Sequence, residues 1–291
     1  MARAGAQGLY TPPHNPFAMI RGFVGSPNRD GRTAAIVREA LLGAEEQGAE
    51  VELVHLADYD IGACLDCTRA TPQGEDAGPA DDFPKVAKLL EGSDAVVIGS
   101  PVYWADITTC TRALLARKLR MEMGKGPTAG MPALGIVVAG GSGNGLVEAM
   151  RPLYLLFEKL RWRPLDGFPV TRFNWDLALA TANGAGRDLA AMSDKRRPVE
   201  PDELWTFYNN LRYRGHDRID ERRLLAELIV DALPEVGKFA PIAKDLRVKL
   251  DRVDTAFSRK HKEKAVPAID ELISRGTEIY EMLHPTKLKS K

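Results

Sequence analysis

The chain of 291 residues carries only 3 cysteines, too few and too odd in number for a disulfide framework, and two of them stand together as Cys64-Leu-Asp-Cys67. Such sparse usage points to a reducing, cytoplasmic setting. Net charge is missing as well, since 40 Lys+Arg are matched by 40 Asp+Glu. No overall field exists to gather nucleic acid or an anionic membrane, so neither partner is expected. Long apolar runs are absent: none approaches the ~20 residues of a membrane span. The segment MARAGAQGLYTPPHNPF also lacks the unbroken apolar stretch of roughly 7–15 residues that marks a secretory leader. The 5 histidines (His14, His55, His216, His261, His284) are scattered, with the spacing of neither a metal site nor a triad. What the chain does have is 44% apolar residues, enough to build a core and to exclude wholesale disorder.

Glycine and charge divide the chain. Residues 1–175 hold 21 of the 26 glycines, whereas the remainder is denser in charge, with 22 Lys+Arg and 20 Asp+Glu. In the first part short β-branched runs alternate with helical patterns. Strands are expected at residues 17–24, 51–56, 95–98 and 133–138, with a weaker fifth around 163–170, and helices fall between them. The run Ala95-Val96-Val97-Ile98 is apolar without alternation, as a strand covered on both faces should be. Five strands with helices between them imply a parallel sheet in a three-layer α/β/α arrangement. A further helix near 177–192 closes the unit. The stretch SDKRRPVEPDE reads as a linker. Beyond it the pattern is helical, and Phe239, Ala243, Leu246, Leu250, Val253 and Phe257 follow a heptad seam. The expected organisation is an N-terminal arm (1–16), an α/β domain (17–192) and a helical extension (193–291) serving oligomerisation or as a lid.

Three loops follow three strands. Gly25-Ser26-Pro27-Asn28-Arg29-Asp30-Gly31-Arg32-Thr33 leads straight into a helix. Hydroxyls, small residues and free amides at a helix N-terminus make an anion site, although the spacing is not that of a nucleotide P-loop. Gly99-Ser100-Pro101-Val102-Tyr103-Trp104-Ala105-Asp106 sets two adjacent aromatics on a loop, suited to stacking on a flat ligand. Ala139-Gly140-Gly141-Ser142-Gly143-Asn144-Gly145 lets backbone amides approach a ligand closely. Together the loops describe a site for a mononucleotide with a phosphate and a planar ring.

On these motifs residues 17–192 resemble the NADPH-dependent FMN reductase group of the flavodoxin-like superfamily, in particular the branch that includes iron-sulfur flavoproteins. The resemblance implies a five-stranded flavodoxin-like sheet with non-covalent FMN. It places Ser26, Asn28, Arg32 and Thr33 around the FMN phosphate. Pro101, Val102, Tyr103, Trp104 and Asp106 would line the isoalloxazine, and Gly140, Gly141, Ser142 and Gly143 would flank its other edge. Two departures stand out. The group commonly has arginine at the place of Asn28 and asparagine at the place of Arg32, so Arg29 and Arg32 are candidates to supply the charge. Iron-sulfur members hold a cluster with four closely spaced cysteines, whereas here Ala70 falls at the third place after Cys64 and Cys67. A cluster takes four cysteine ligands, so none is expected. Cys64 and Cys67 are then a remnant, a packed pair, or a redox-active dithiol.

The function implied is an FMN-dependent oxidoreductase. It would pass hydride from NAD(P)H through FMN to a quinone, a flavin or a small aromatic acceptor, as a homodimer or homotetramer, with no side chain singled out as acid, base or nucleophile. Two alternatives remain: a flavin-dependent biosynthetic dehydrogenase of one small molecule, and a flavodoxin-like electron carrier without turnover. In the carrier, the basic stretch from Arg259 to Lys264 would dock an acidic partner.

Overall fold

A computed structural model describes residues 18–65, 74–122, 125–258 and 262–285. The N-terminal arm, Cys67, Ala70 and residues 259–261 of the basic stretch lie outside the described residues.

The sheet is built from β1 (Met19–Val24), β2 (Glu50–His55), β3 (Ala95–Pro101), β4 (Pro132–Val138) and β5 (Arg163–Pro164), in the order β2-β1-β3-β4-β5. Every pairing is parallel; Val24 sits opposite His55 on one side and Gly99 on the other. This is the flavodoxin-like five-stranded sheet. The chain leaves β1 towards β2 and returns to β3 on the other side, opening a crevice at the carboxyl ends of β1 and β3. β4 is buried along its whole length, and β3 is buried except at Pro101, because helices cover both faces.

One face carries α1 (Arg32–Glu45) and α5 (Trp175–Met192). These two approach closely because each brings a glycine to the contact. A β-carbon on Gly43 would lie 1.9 Å from the Asn183 carbonyl oxygen, and one on Gly186 would lie 1.8 Å from that of Ala40. The other face carries α2 (Phe83–Glu91), α3 (Thr109–Glu122) and α4 (Leu146–Leu160), whose Phe83, Leu114, Leu153 and Phe157 share a core with Phe23, Val96 and Ile98. The fifth strand is shorter than the pattern around 163–170 suggests. Arg163 and Leu165 donate to the Met131 and Ala133 carbonyls, pairing then stops, and contact with β4 resumes only as the isolated bridge Val138 to Val170, just after Pro169, which has no N–H to give.

After α5 the charged stretch is tied to the body: Arg161 Nε donates to the Val199 carbonyl (2.7 Å), and Arg163 Nε donates to that of Arg197 (2.6 Å). A short α6 (Leu204–Asn209) follows, then α7 (Arg218–Asp231), α8 (Ala240–Ser258) and α9 (Lys262–Leu283). The helix α7 starts with a capping box, in which Asp217 accepts from Ile219 and Asp220 while its own N–H donates to Asp220. The heptad seam of α8 turns Ala243, Leu246, Leu250 and Val253 into a core shared with Val230 and Leu233 of the α7 end and with Ile269, Leu272 and Ile279 of α9. Two-heptad seams are too short to stand alone, and here the partners are neighbours in the same chain. Among the described residues no helix is long and apolar enough to cross a membrane.

Candidate functional site

The three loops converge at the carboxyl edge of the sheet and are stitched to one another. The Gly25 amide donates to the Gly99 carbonyl (2.7 Å), and the Thr108 hydroxyl donates to the Gly25 carbonyl (2.8 Å). The Val102 amide donates to the Val138 carbonyl (3.0 Å), which links the aromatic loop to the end of β4.

In the first loop Ser26 and Thr33 are buried and Arg32 is exposed. The N-cap of α1 is Gly31, which offers no side chain, and the first turn has no acidic residue. The leading amides of α1 therefore have neither a capping oxygen nor a carboxylate, and the helix dipole adds to their pull on an anion. Asn28 spends its side chain locally: Oδ1 accepts from the Asp30 amide at 3.2 Å. Arg29 is matched by Asp58. Arg32 has no acidic partner among the described residues, and its guanidinium carbon lies 5.5 Å from the centroid of the Trp175 ring. Of the two arginines in the loop, only Arg32 keeps an unmatched charge. Next to this loop His55 is buried at the end of β2. Burial, and then the charges of Arg29 and Arg38, hold its imidazole below the usual value, so it is neutral at pH 7.

The aromatic loop is strained. Tyr103 and Asp106 exchange backbone hydrogen bonds (2.8 and 3.0 Å), enclosing a two-residue turn. The two residues in it, Trp104 (φ 51°) and Ala105 (φ 61°), both occupy the left-handed region. Asn-Gly would sit there comfortably; Trp-Ala costs about 1–2 kcal/mol per residue. The Trp104 side chain is 102% exposed, the most open large apolar residue described. A strained turn that holds an indole in solvent is the kind of outlier found where a ligand is met. Asp106 accepts from the Ile107 amide (2.7 Å) and pairs with Arg112, a partner that sequence reading did not name.

The glycine loop lies against the aromatic loop. Gly140 and Gly141 have open space where a side chain would project. Gly145 (φ +81°) is different: a β-carbon there would sit 2.8 Å from the Ala105 Cα, so only glycine fits both the conformation and the contact. Ser142 is exposed beside them. Thus Ser26, Asn28, Arg32 and Thr33 lie on one loop, Pro101, Val102, Tyr103, Trp104 and Asp106 on the next, and residues 140–143 on the third, all at one edge of the sheet.

A residue that sequence reading missed completes the arrangement. Glu221 of α7 is buried and reaches across to the start of α4. Its Oε1 accepts from the Gly145 amide (2.7 Å), and its Oε2 accepts from Val147 (2.7 Å) and Glu148 (3.0 Å). Leu225, one turn further on, is the group a β-carbon on Gly143 would strike, at 2.7 Å. The extension thereby fixes the shape of the glycine loop. The loop after β2 has its own anchor in the buried Arg117. Its Nε donates to Asp76 (2.9 Å), and its other nitrogens donate to Asp81 and to the Gly62 (3.1 Å) and Pro79 (3.2 Å) carbonyls. Burial alone would lower the guanidinium; the hydrogen bonds of Asp76 and Asp81 outweigh it and raise it. Cys64 is half-buried on this loop. Among the described residues there is no cluster of three or more potential metal ligands.

Comparison with known proteins gives a consistent result. The family described as NADPH-dependent FMN reductase matches residues 18–168. An iron-sulfur flavoprotein of Methanocaldococcus jannaschii is 31% identical over 105 residues, covering 36% of this chain and 54% of that protein. A second iron-sulfur flavoprotein of the same organism is 33% identical over 150 residues, covering 51% of this chain and 75% of its own length. The chain spans about half the length of several of the curated relatives it matches. A solved flavone reductase shares the fold, with a TM-score of 0.50 and 21% identity over 60% of this chain and 63% of that one.

Proposed function

The chain belongs to the NADPH-dependent FMN reductase family, and on that premise we propose that it is an FMN-dependent oxidoreductase taking hydride from NAD(P)H and reducing a small planar acceptor such as a quinone or a flavin. The observation that carries this reading is the meeting of an uncapped helix N-terminus, a strained loop with an exposed indole and an open glycine loop at the β1/β3 crevice. Bound FMN would supply the hydride-accepting ring and pass its electrons on.

The residues present fit that group. The first-turn amides of α1, with the buried Ser26 hydroxyl and Thr33, would hold the phosphate, and the first turn has no acidic residue to compete for them. Tyr103 and Trp104 would give the ring and the acceptor an apolar face, and Gly140 and Gly141 would allow amides to approach its edge without a side chain in the way. Asp106, tied to Arg112, contributes a matched pair near that face instead of a bare charge. No side chain is singled out as an acid or base, and the proton that the acceptor takes up with the hydride can come from solvent. An iron-sulfur cluster is not part of the proposal, because the chain has 3 cysteines in all and a cluster takes four. A reducing cytoplasmic setting and a homodimer or homotetramer belong to the same reading. So do an α/β domain at 17–192 and a helical extension at 193–291 that braces the site.

The test is spectroscopic. Protein purified with FMN should be yellow and bleach within seconds when NADH or NADPH is added anaerobically, and colour should return on adding a quinone. Slow bleaching with both donors would favour the dehydrogenase or the carrier, and a protein that takes up no FMN would end the proposal. Iron and sulfide assays on anaerobic protein address the cluster, and light scattering addresses the assembly.

A further inference from the structure

Beside the phosphate loop, between the start of α5 and the helices α7 and α9, lies an open cleft of about 480 Å³. Its volume falls in the range of roughly 300–1,000 Å³ typical of small-molecule sites. Apart from Arg32, its walls lie beyond residue 168, where the family match ends.

The cleft is lined by charges of both signs. On one lip the Arg32 guanidinium rests over the Trp175 ring with no acidic partner among the described residues. The start of α5 is on the same lip, with no side chain capping its amides, because the Asn174 side chain is turned inward to Thr171 and the Pro169 carbonyl. The other arginine in the cleft, Arg172, is matched by Glu281 at 2.8 Å and held between the Phe173 and Tyr280 rings, so its charge is already used. Asp231, the last residue of α7, also lines the cleft, at the negative end of that helix dipole, and it too has no partner among the described residues. Asp176 sits in the first turn of α5, where the dipole offsets it. Tyr280 and His284 form the aromatic end.

A ligand matching these walls is a planar ring that carries both an anionic group and a hydrogen-bond-donating amine. Of the two molecules the proposed reaction needs, the nicotinamide donor has such a part. We propose that this cleft binds the adenosine phosphate end of NADPH: Arg32, turned to Trp175 and the cleft and so left out of the FMN phosphate site, takes the phosphate, the adenine lies along the part of the half-buried Trp175 ring that the guanidinium does not cover, and its amino group donates to Asp231. The assignment rests on the oxidoreductase reading for the identity of the donor, but its test does not require the flavin.

The probes are adenosine 2′-monophosphate and adenosine, titrated calorimetrically into the full chain and into two variants. Leu228→Trp fills the half-buried cleft wall, and Asp231→Asn removes the amine acceptor. The nucleotide should bind the parent protein about tenfold more tightly than adenosine. Leu228→Trp should abolish binding and Asp231→Asn should weaken it severalfold, with circular dichroism unchanged. In the FMN-loaded enzyme both variants should raise KM for NADPH while leaving kcat and flavin content near parent values. Equal binding of the nucleotide to parent and both variants, or no binding to the parent, would overturn the assignment. Nucleotide binding that responds to the variants in a protein that takes up no FMN would support the cleft and refute the oxidoreductase reading.

Discussion

Replacing Glu221 by alanine tests the connection between the extension and the site. The carboxylate receives three amide hydrogen bonds of 2.7, 2.7 and 3.0 Å at the positive end of α4. A hydrogen bond to a charged group contributes about 1.5–3 kcal/mol net, and buried donors left bare cost about as much again. The three share one acceptor and do not add, and water can enter the space that alanine leaves. A loss of about 3 kcal/mol is therefore expected, equivalent to a fall of roughly 6–12 °C in Tm. Amide exchange at Gly145, Val147 and Glu148 should quicken by about 100-fold, and FMN should bind more weakly because the glycine loop loses its brace. Glu221→Gln should fall between, since its amide NH₂ would face donors. A Glu221→Ala protein with parent stability and parent exchange at those three amides would refute the reasoning.

Other expectations follow from the same geometry. Ala105→Gly relieves one left-handed residue in the turn at φ 61°. After the entropy that glycine adds to the unfolded chain, it should stabilise the protein by about 0.5–1 kcal/mol in urea titrations. Arg117→Ala leaves the buried Asp81 and its neighbour Asp76 without their cation. It should cost about 3–5 kcal/mol and open the loop after β2 to limited proteolysis before the rest. The hydrogen bond from Lys262, working against burial and helped by the Asp220 and Ile219 amides, holds the Asp217 carboxyl down at about 2. A lowered carboxyl stabilises the fold above its unfolded value near 4 and loses that contribution as pH falls through about 2. The docking of α7 on α9 should thus weaken over that window, read by helical ellipticity. In Asp217→Asn this part of the pH dependence should vanish.

The parts of the fold that were legible from sequence are those set by local rules. The runs at 95–98 and 133–138 lie wholly within strands of the sheet interior because unbroken β-branched segments suit strands covered on both faces. The glycine, proline and aromatic punctuation marked the three loops for the same reason. The fifth strand was legible only as a weak pattern, and it pairs over two residues. The seam of α8 announced a buried stripe without saying which helices would cover it. Glu221 was not legible at all. In RIDERRLL it looks like any acid on a solvated helix, and only the three-dimensional path of α7 brings it to Gly145. Arg117 and Trp175 were hidden likewise, since their roles depend on partners distant in sequence. Among the residues that were named, Asn28 turns its side chain to the Asp30 amide, and Arg32 has no acidic partner among the described residues.

The separation of 76 positions from Gly145 to Glu221 has a meaning in time as well as in space. At a synthesis rate of about 5–20 residues per second, the glycine loop leaves the ribosome roughly 4–15 s before the carboxylate that holds it. During that interval the sheet can form while the front of α4 is still capped by water. A nascent chain halted before α7 would carry the phosphate and aromatic loops with an unfinished third wall, so the order of translation places completion of the pocket among the last events in the making of the protein.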